Sequence, residues 1–199
     1  MTFIAFEGGE GSGKSTQAAR LAARLDAVLT REPGGTTLGE QLRSLLLGRD
    51  QEVDARAEAL LMAAARAQHV AEVIRPALVA GRTVVTDRFT GSSLAYQGHA
   101  RGLGVDEVAR LSAFATAGLE PDVTVLLEVA DDVARSRRAG SEPDRIELAG
   151  DEFHRLVAEG YAALGAADDR WVVIDGDGDP DAVEERVWKA VRSVVDIDG

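Results

Sequence analysis

Eight residues near the start of the chain, Gly8-Gly9-Glu10-Gly11-Ser12-Gly13-Lys14-Ser15, leave little freedom in what can surround them. They follow the pattern G-x-x-x-x-G-K-[S/T], which carries chemistry only where it joins a buried strand to the first turn of a helix. Both flanks comply. Phe3-Ile4-Ala5-Phe6 is an apolar run of strand length, and Ala18, Leu21, Ala22 and Leu25 recur at helical spacing beyond Lys14. In that setting backbone N–H groups and a helix N-terminus converge on phosphate oxygens, Lys14 neutralises their charge, and the Ser15 hydroxyl is offered to Mg2+. Gly8 to Ser15, with Thr16 beside them, are therefore the candidate ATP site.

The rest of the chain alternates short β-branched runs with helical patterns. Ala27–Thr30, Thr83–Asp87, Val123–Val129 and Trp171–Asp175 read as further strands. Helices are expected over Leu38–Leu47, Ala55–Ala80 (with Pro76 kinking or dividing it), Thr90–Gln97, Asp106–Ala117, Asp131–Arg138, Glu152–Leu164 and Asp181–Val195. Strands too apolar to face water on either side imply a parallel sheet between two layers of helices. The predicted fold is α/β, a three-layer sandwich of the P-loop NTPase kind. At 199 residues, with no linker or repeat, residues 1–199 form a single domain.

Charge and composition narrow the partners. A formal net charge of −12 opposes general nucleic-acid binding, which depends on phosphate contacts, so any polyanion must meet a local basic pocket. No run reaches the length of a membrane span, and the absence of cysteine excludes thiol catalysis and disulfides, so a cytoplasmic location is expected. The chain has no asparagine, hence no N-K-x-D base-reading motif of a GTPase, and it lacks the extra glycine-rich signature of transport ATPases. A small kinase fits better. A nucleotide-dependent switch that binds ATP without an acceptor is the rival from another class.

Further motifs carry a closer likeness: Phe6-Glu7-Gly8, Thr30-Arg31-Glu32-Pro33-Gly34-Gly35-Thr36, Ala64-Ala65-Arg66-Ala67-Gln68, Asp87-Arg88-Phe89, Ser92-Ser93-Leu94-Ala95-Tyr96-Gln97-Gly98 and Asp144-Arg145-Ile146-Glu147. With these the chain resembles bacterial thymidylate kinase nearly end to end. The resemblance implies transfer of the ATP γ-phosphoryl group to dTMP, with Mg2+, in a cytosolic homodimer. Another small P-loop nucleotide or nucleoside kinase is the alternative within enzymes.

Both reactants would be anions, so cations should surround the transfer point and little covalent work remains. Arg88 follows Asp87 at the C-terminal end of a strand, the edge where ligands gather in parallel sheets. The resemblance gives Arg88 a grip on the acceptor phosphate, and Ser15 and Asp87 the Mg2+. Arg31, at a strand exit, is expected across the same cleft, with Arg43 lining it. No general base is needed, and His69, His99 and His154 read as structural or surface residues.

Met62 and Arg66 share one helix face, and Ser93, Tyr96 and Gln97 share another. Arg66 would donate to thymine O4, and Ser93 or Gln97 would accept from N3–H. Met62 stands where the family usually stacks a phenylalanine on the base. Tyr96 matches the family position against the deoxyribose that disfavours a 2′-hydroxyl. Glu10 is unusual, since a carboxylate inside a phosphate loop repels its ligand; the resemblance assigns it to the sugar 3′-hydroxyl or magnesium-bound water. Residues 139–147 resemble a lid over ATP, with Arg138 and Arg145 as catalytic cations and Arg135 toward the nucleotide. Trp171, Trp188 and Tyr161 read as core packing, and the tail 196–199 as frayed.

Overall fold

The computed structural model describes residues 1–49, 52–140 and 142–195; Ser141 of the expected lid and the tail 196–199 lie outside the described residues. β1 (Phe3–Glu7) is buried along its whole length. Its side chains alternate between two cores, as the pleat requires. Ile4 and Phe6 join α1 (Lys14–Arg24) and α9 (Pro180–Val194) on one face. Phe3 and Ala5 meet Val70, Ile74 and Phe89 on the other. Burying a side chain of this size contributes about 1.5–3 kcal/mol, so the strand carrying the phosphate loop is anchored from both sides.

β2 (Val28–Arg31), β3 (Val84–Asp87), β4 (Val123–Glu128) and β5 (Trp171–Asp175) complete the sheet. All pairings are parallel, in the order β2-β3-β1-β4-β5, which confirms the three-layer α/β expectation. The chain leaves β1 with β3 on one side and β4 on the other, and the crevice outside the carboxyl ends of such strands is where ligands bind. Phe6 lies opposite Asp87, and Asp87 opposite Arg31, so three motifs far apart in sequence end on one sheet edge.

The long helical stretch is not broken at Pro76. α3 (Ala55–His69) widens into a π-helical turn, Val70–Ile74, and resumes as α4 (Arg75–Val79) with Pro76 in its first turn, where a missing N–H costs least. A second π-helical turn, Leu94–Ala100, continues α5 (Thr90–Ser93) and carries Tyr96 and Gln97. α2 (Thr37–Leu47) is capped by Thr36, whose Oγ1 accepts from the Gly39 N–H at 2.9 Å. α6 (Val105–Thr116), α7 (Asp131–Arg138) and α8 (Asp151–Ala167) fall within a few residues of expectation. The irregular stretch after α7 ends in a 3-10 turn, Glu147–Ala149, nucleated by Asp144, whose carboxylate accepts from the N–H groups of Ile146 and Glu147.

Candidate active site

The phosphate loop is held against the sheet by contacts that exclude side chains. Gly8 has φ +141°, and a Cβ there would lie 2.4 Å from the Leu127 carbonyl oxygen. Gly13, at φ 94°, opens α1, and no side chain takes the cap hydrogen bond among the described residues. The first-turn amides are thus left to a ligand. Lys14 is buried, and its Nζ folds back to donate to the Gly9 carbonyl at 2.7 Å. Burial, reinforced by the Arg88 charge, pulls the Lys14 ammonium down to about 8; the carboxylates of Glu10, Asp87 and Glu7 oppose that pull.

Ser15 and Asp87, which the resemblance pairs, lie in contact: the Ser15 hydroxyl donates to Asp87 Oδ2 at 2.5 Å. Asp87 Oδ1 is buried with no hydrogen-bond partner among the described residues. Two adjacent hard oxygens, one of them uncommitted, fit Mg2+, a cation held through few protein ligands with water and phosphate completing its shell.

Arg88 adopts φ +72°, rare for a residue with a side chain, at the turn out of β3. Through Nη1 it donates to the Gly8 carbonyl at 3.1 Å and to Ser92 Oγ and Tyr161 Oη at 3.0 Å. Through Nη2 it donates to Glu10 and, at 3.4 Å, to Tyr96 Oη. Arg88 holds the Glu10 carboxyl down at about 2 against the cost of its burial, so Glu10 is ionised throughout the physiological range. The Glu10 charge that looked unfavourable in the sequence therefore balances Arg88.

Behind this pair lies a residue that the sequence offered only as part of a motif. Glu7 is fully buried and accepts from the N–H groups of Phe89 and Ser92, both at 2.9 Å, from Ser92 Oγ and from Tyr161 Oη. Burial pushes its carboxyl up, while the Ser92 hydroxyl and the Arg88 charge oppose that shift. Tyr161 packs in the core as expected, yet its hydroxyl belongs to the Arg88 network.

One cleft gathers Arg43, Met62, Arg66, Arg88, Ser93, Tyr96 and Gln97, seven residues singled out from sequence. Arg66 is 3% exposed, the reverse of an ordinary helix-surface arginine. Its Nε donates to Glu32 Oε2 at 2.7 Å and its Nη2 to the Phe89 carbonyl and Ser93 Oγ, at 2.8 and 3.1 Å. Nη1 is buried with no partner among the described residues. Glu32 is held in turn by His69: Nδ1 lies 2.9 Å from Glu32 Oε1, and Nε2 lies 2.6 Å from Thr30 Oγ1. His69 is thus structural, as expected, but the structure it supports is the seat of Arg66.

The remaining arginines divide. Arg43 donates to the Pro33 carbonyl at 2.9 Å, following the cis Glu32–Pro33 bond. Arg31 reaches the right sheet edge, but its guanidinium turns to Glu40 at 3.1 Å and its side chain is 56% exposed, outside the residues that line the cleft. Arg135 is exposed on α7, and Arg138 donates to the Ala134 carbonyl while lending charge to Glu10. Arg145 departs from its expected place as a lid cation: it donates to the Leu46 carbonyl at 2.8 Å and to Glu58 at 2.7 Å, which ties it to α2 and α3. A further α7 arginine, Arg137, is bonded to the carbonyls of Gly11 and Ser12 in the phosphate loop and of Gly176. Nothing in the sequence separates it from its neighbours.

A glycine-rich loop at the turning point of a parallel sheet, facing a cleft lined by the buried Arg66 and the part-buried Arg88, defines a small P-loop kinase. Comparison with known proteins makes the assignment particular. The thymidylate kinase family profile matches residues 6–187. A thymidylate kinase from Solidesulfovibrio magneticus is 50% identical over 208 residues, covering 97% of this chain and 100% of its own. One from Synechococcus sp. (strain JA-3-3Ab) is 49% identical over 197 residues, covering 96% and 95%. The crystal structure of thymidylate kinase from Ehrlichia chaffeensis superposes with a TM-score of 0.80 at 31% identity, covering 96% and 98%. The chain belongs to the thymidylate kinase family.

Proposed function

We propose that the chain transfers the γ-phosphoryl group of ATP to the 5′-phosphate of dTMP, yielding dTDP and ADP for dTTP synthesis. The observation that carries this reading is Arg66 Nη1, a buried cationic donor with no partner among the described residues, in a cleft that Arg88 links to the phosphate loop. An N–H so placed matches the O4 acceptor of thymine. The amino group of cytosine would confront it donor to donor, and a polar group left unpaired in a buried site costs about 1–3 kcal/mol.

The acceptor phosphate is ionised at neutral pH and needs no general base. This chain's task is to hold two anions in line and offset their repulsion. Lys14 and the α1 amides take the ATP phosphates, and Arg88 takes the acceptor phosphate at the shared edge. Ser15 and Asp87 would hold Mg2+, which supplies further charge neutralisation when bound. Met62 covers the base with a polarisable thioether in place of an aromatic ring. Tyr96 packs against the deoxyribose.

The homodimer is part of this proposal; Phe114 on α6 and Leu60 on α3, 87% and 58% exposed, are apolar surface that supports it. So is a cytoplasmic setting, in keeping with the absence, among the described residues, of any helix long and apolar enough to cross a membrane.

The test is a coupled ADP-release assay with dTMP, dUMP, dCMP, AMP and GMP as acceptors. Turnover with dTMP well above the others except dUMP is expected. ADP release that stays at the no-acceptor level with dTMP would refute the reading.

A further inference from the structure

Glu58, Met62 and Arg66 stand at successive turns of α3, and so on one face of it. Met62 and Arg66 line the acceptor cleft; Glu58, one turn further toward the N-terminus of α3, is completely buried. A carboxylate at zero exposure needs compensation, and three side chains converge on it. Arg145 donates to Oε2 at 2.7 Å, Arg101 donates to the same oxygen at 3.3 Å, and Gln97 Nε2 lies 2.8 Å from Oε1. Burial alone would raise this carboxyl, but the Gln97 and Arg145 hydrogen bonds and the Arg101 charge outweigh it and keep it below its ordinary value.

An ionised carboxylate can only accept, so of the two ends of the Gln97 amide the NH2 must face Glu58. The carbonyl oxygen diverges from the nitrogen at the same carbon and is left to the cleft that Gln97 lines. Ser93, the other candidate acceptor, already takes a hydrogen bond from Arg66 and keeps its own proton to donate.

We propose that Glu58 is a positioning residue for base choice: it locks the Gln97 side-chain amide with its carbonyl toward the base, an acceptor that fits the N3–H of thymine and repels the bare N3 of cytosine. This rests on the dTMP reading above. Arg145 and Arg101 hold Glu58 ionised, which gives Arg145 a place in acceptor recognition instead of phosphoryl transfer.

The experiment compares kcat/KM for dTMP, dUMP and dCMP, with dCMP also measured as an inhibitor of dTMP turnover, in wild type, Glu58→Gln, Gln97→Leu and the double variant. Glu58→Gln permits the neighbouring amide to turn. It is expected to lower the dTMP-to-dCMP ratio about tenfold, the worth of one hydrogen bond. The change should fall mainly on KM, with the dTMP-to-dUMP ratio unchanged because those two bases share the same hydrogen-bonding edge. Adding Glu58→Gln to Gln97→Leu is expected to move the dTMP-to-dCMP ratio no further, since the first residue acts through the second. If Glu58→Gln does not fold, Glu58→Asp carries the same test: it keeps the charge for both arginines while drawing the oxygen back from the Gln97 amide by one methylene. Equal losses on all three acceptors, or additive effects in the double variant, would overturn the inference. A wild-type protein that uses dTMP while giving either result overturns this inference alone. One that ignores dTMP overturns the functional reading as well.

Discussion

Lys14 is the residue whose chemistry turns most directly into a measurable pH dependence. In the folded chain its ammonium is drawn from its ordinary 10.5 to about 8 by burial and by Arg88. The destabilising cost of keeping it charged is therefore present below pH 8 and fades as pH rises toward 10.5. ATP phosphates bind the charged form. We expect the dissociation constant of ATP to be flat below pH 8 and to rise above it, by up to about tenfold per pH unit, with proton uptake seen by calorimetry in buffers of different ionisation heat. Lys14→Arg, which does not titrate in this range, is expected to remove that rise. Lys14→Ala is expected to lower kcat about 10²- to 10³-fold, as for loss of a preorganised electrostatic contact. At Arg66 two effects separate. Arg66→Ala is expected to relax base choice more than it slows transfer, and to cost about 3–5 kcal/mol in chemical denaturation by leaving buried Glu32 without its guanidinium partner, with only His69 still bonded to it. The sequence identified Arg66 through its motif. It did not offer Glu32, His69 or Glu58 as partners, because burial at zero to a few per cent depends on how α3, β2 and β3 pack and leaves no mark in local spacing.

Among the elements, the strands and the phosphate loop were the most legible, since an apolar run buried on both faces and a fixed glycine spacing are local signals. Helix interiors were less so. Hydrophobic periodicity marks residues 55–80 and 90–97 as helical, but a π-helical turn adds one residue per turn without changing which residues are apolar. Those turns are Val70–Ile74, which begins only after His69, and Leu94–Ala100, which carries Gln97 and so decides where that amide sits relative to Arg66. The arginines around residues 139–147 show the same limit: the family resemblance marked that charged segment as a lid, but how each guanidinium of α7 meets the phosphate loop depends on the pitch of the helix. There Gly11 touches the helix so closely that a Cβ would lie 2.5 Å from the Ala134 carbonyl oxygen. Gly11→Ala, at φ +78°, is expected to push α7 off the loop, lowering the thermal midpoint and weakening ATP binding while leaving dTMP binding in isothermal titration nearly unchanged.

For the whole molecule, a chain of net charge −12 meets anionic ligands through a local group of cations at one sheet edge, while other arginines such as Arg20, Arg155 and Arg170 pair with carboxylates elsewhere. Apart from Arg31, which pairs with Glu40, the acceptor-side residues singled out from sequence line one cleft or, like Glu10, bond to Arg88, which links them to the phosphate loop; Arg145, expected over ATP, serves Glu58. The proposed homodimer belongs to the same scale: if Phe114 lies in its interface, the wild type is expected to have a dimer's mass in light scattering after size exclusion and Phe114→Asp a monomer's; an unchanged mass would remove Phe114 from the interface. The measurement that bears most directly on the joined clefts follows the phosphorus itself. With γ-³²P-labelled ATP and dTMP, the expected product is labelled dTDP, formed one for one with ADP, with no label in free phosphate and none transferred when Arg88→Met replaces the wild type. Stoichiometric label in inorganic phosphate, with dTMP recovered unmodified, would mean that the two anions never meet and would contradict the account.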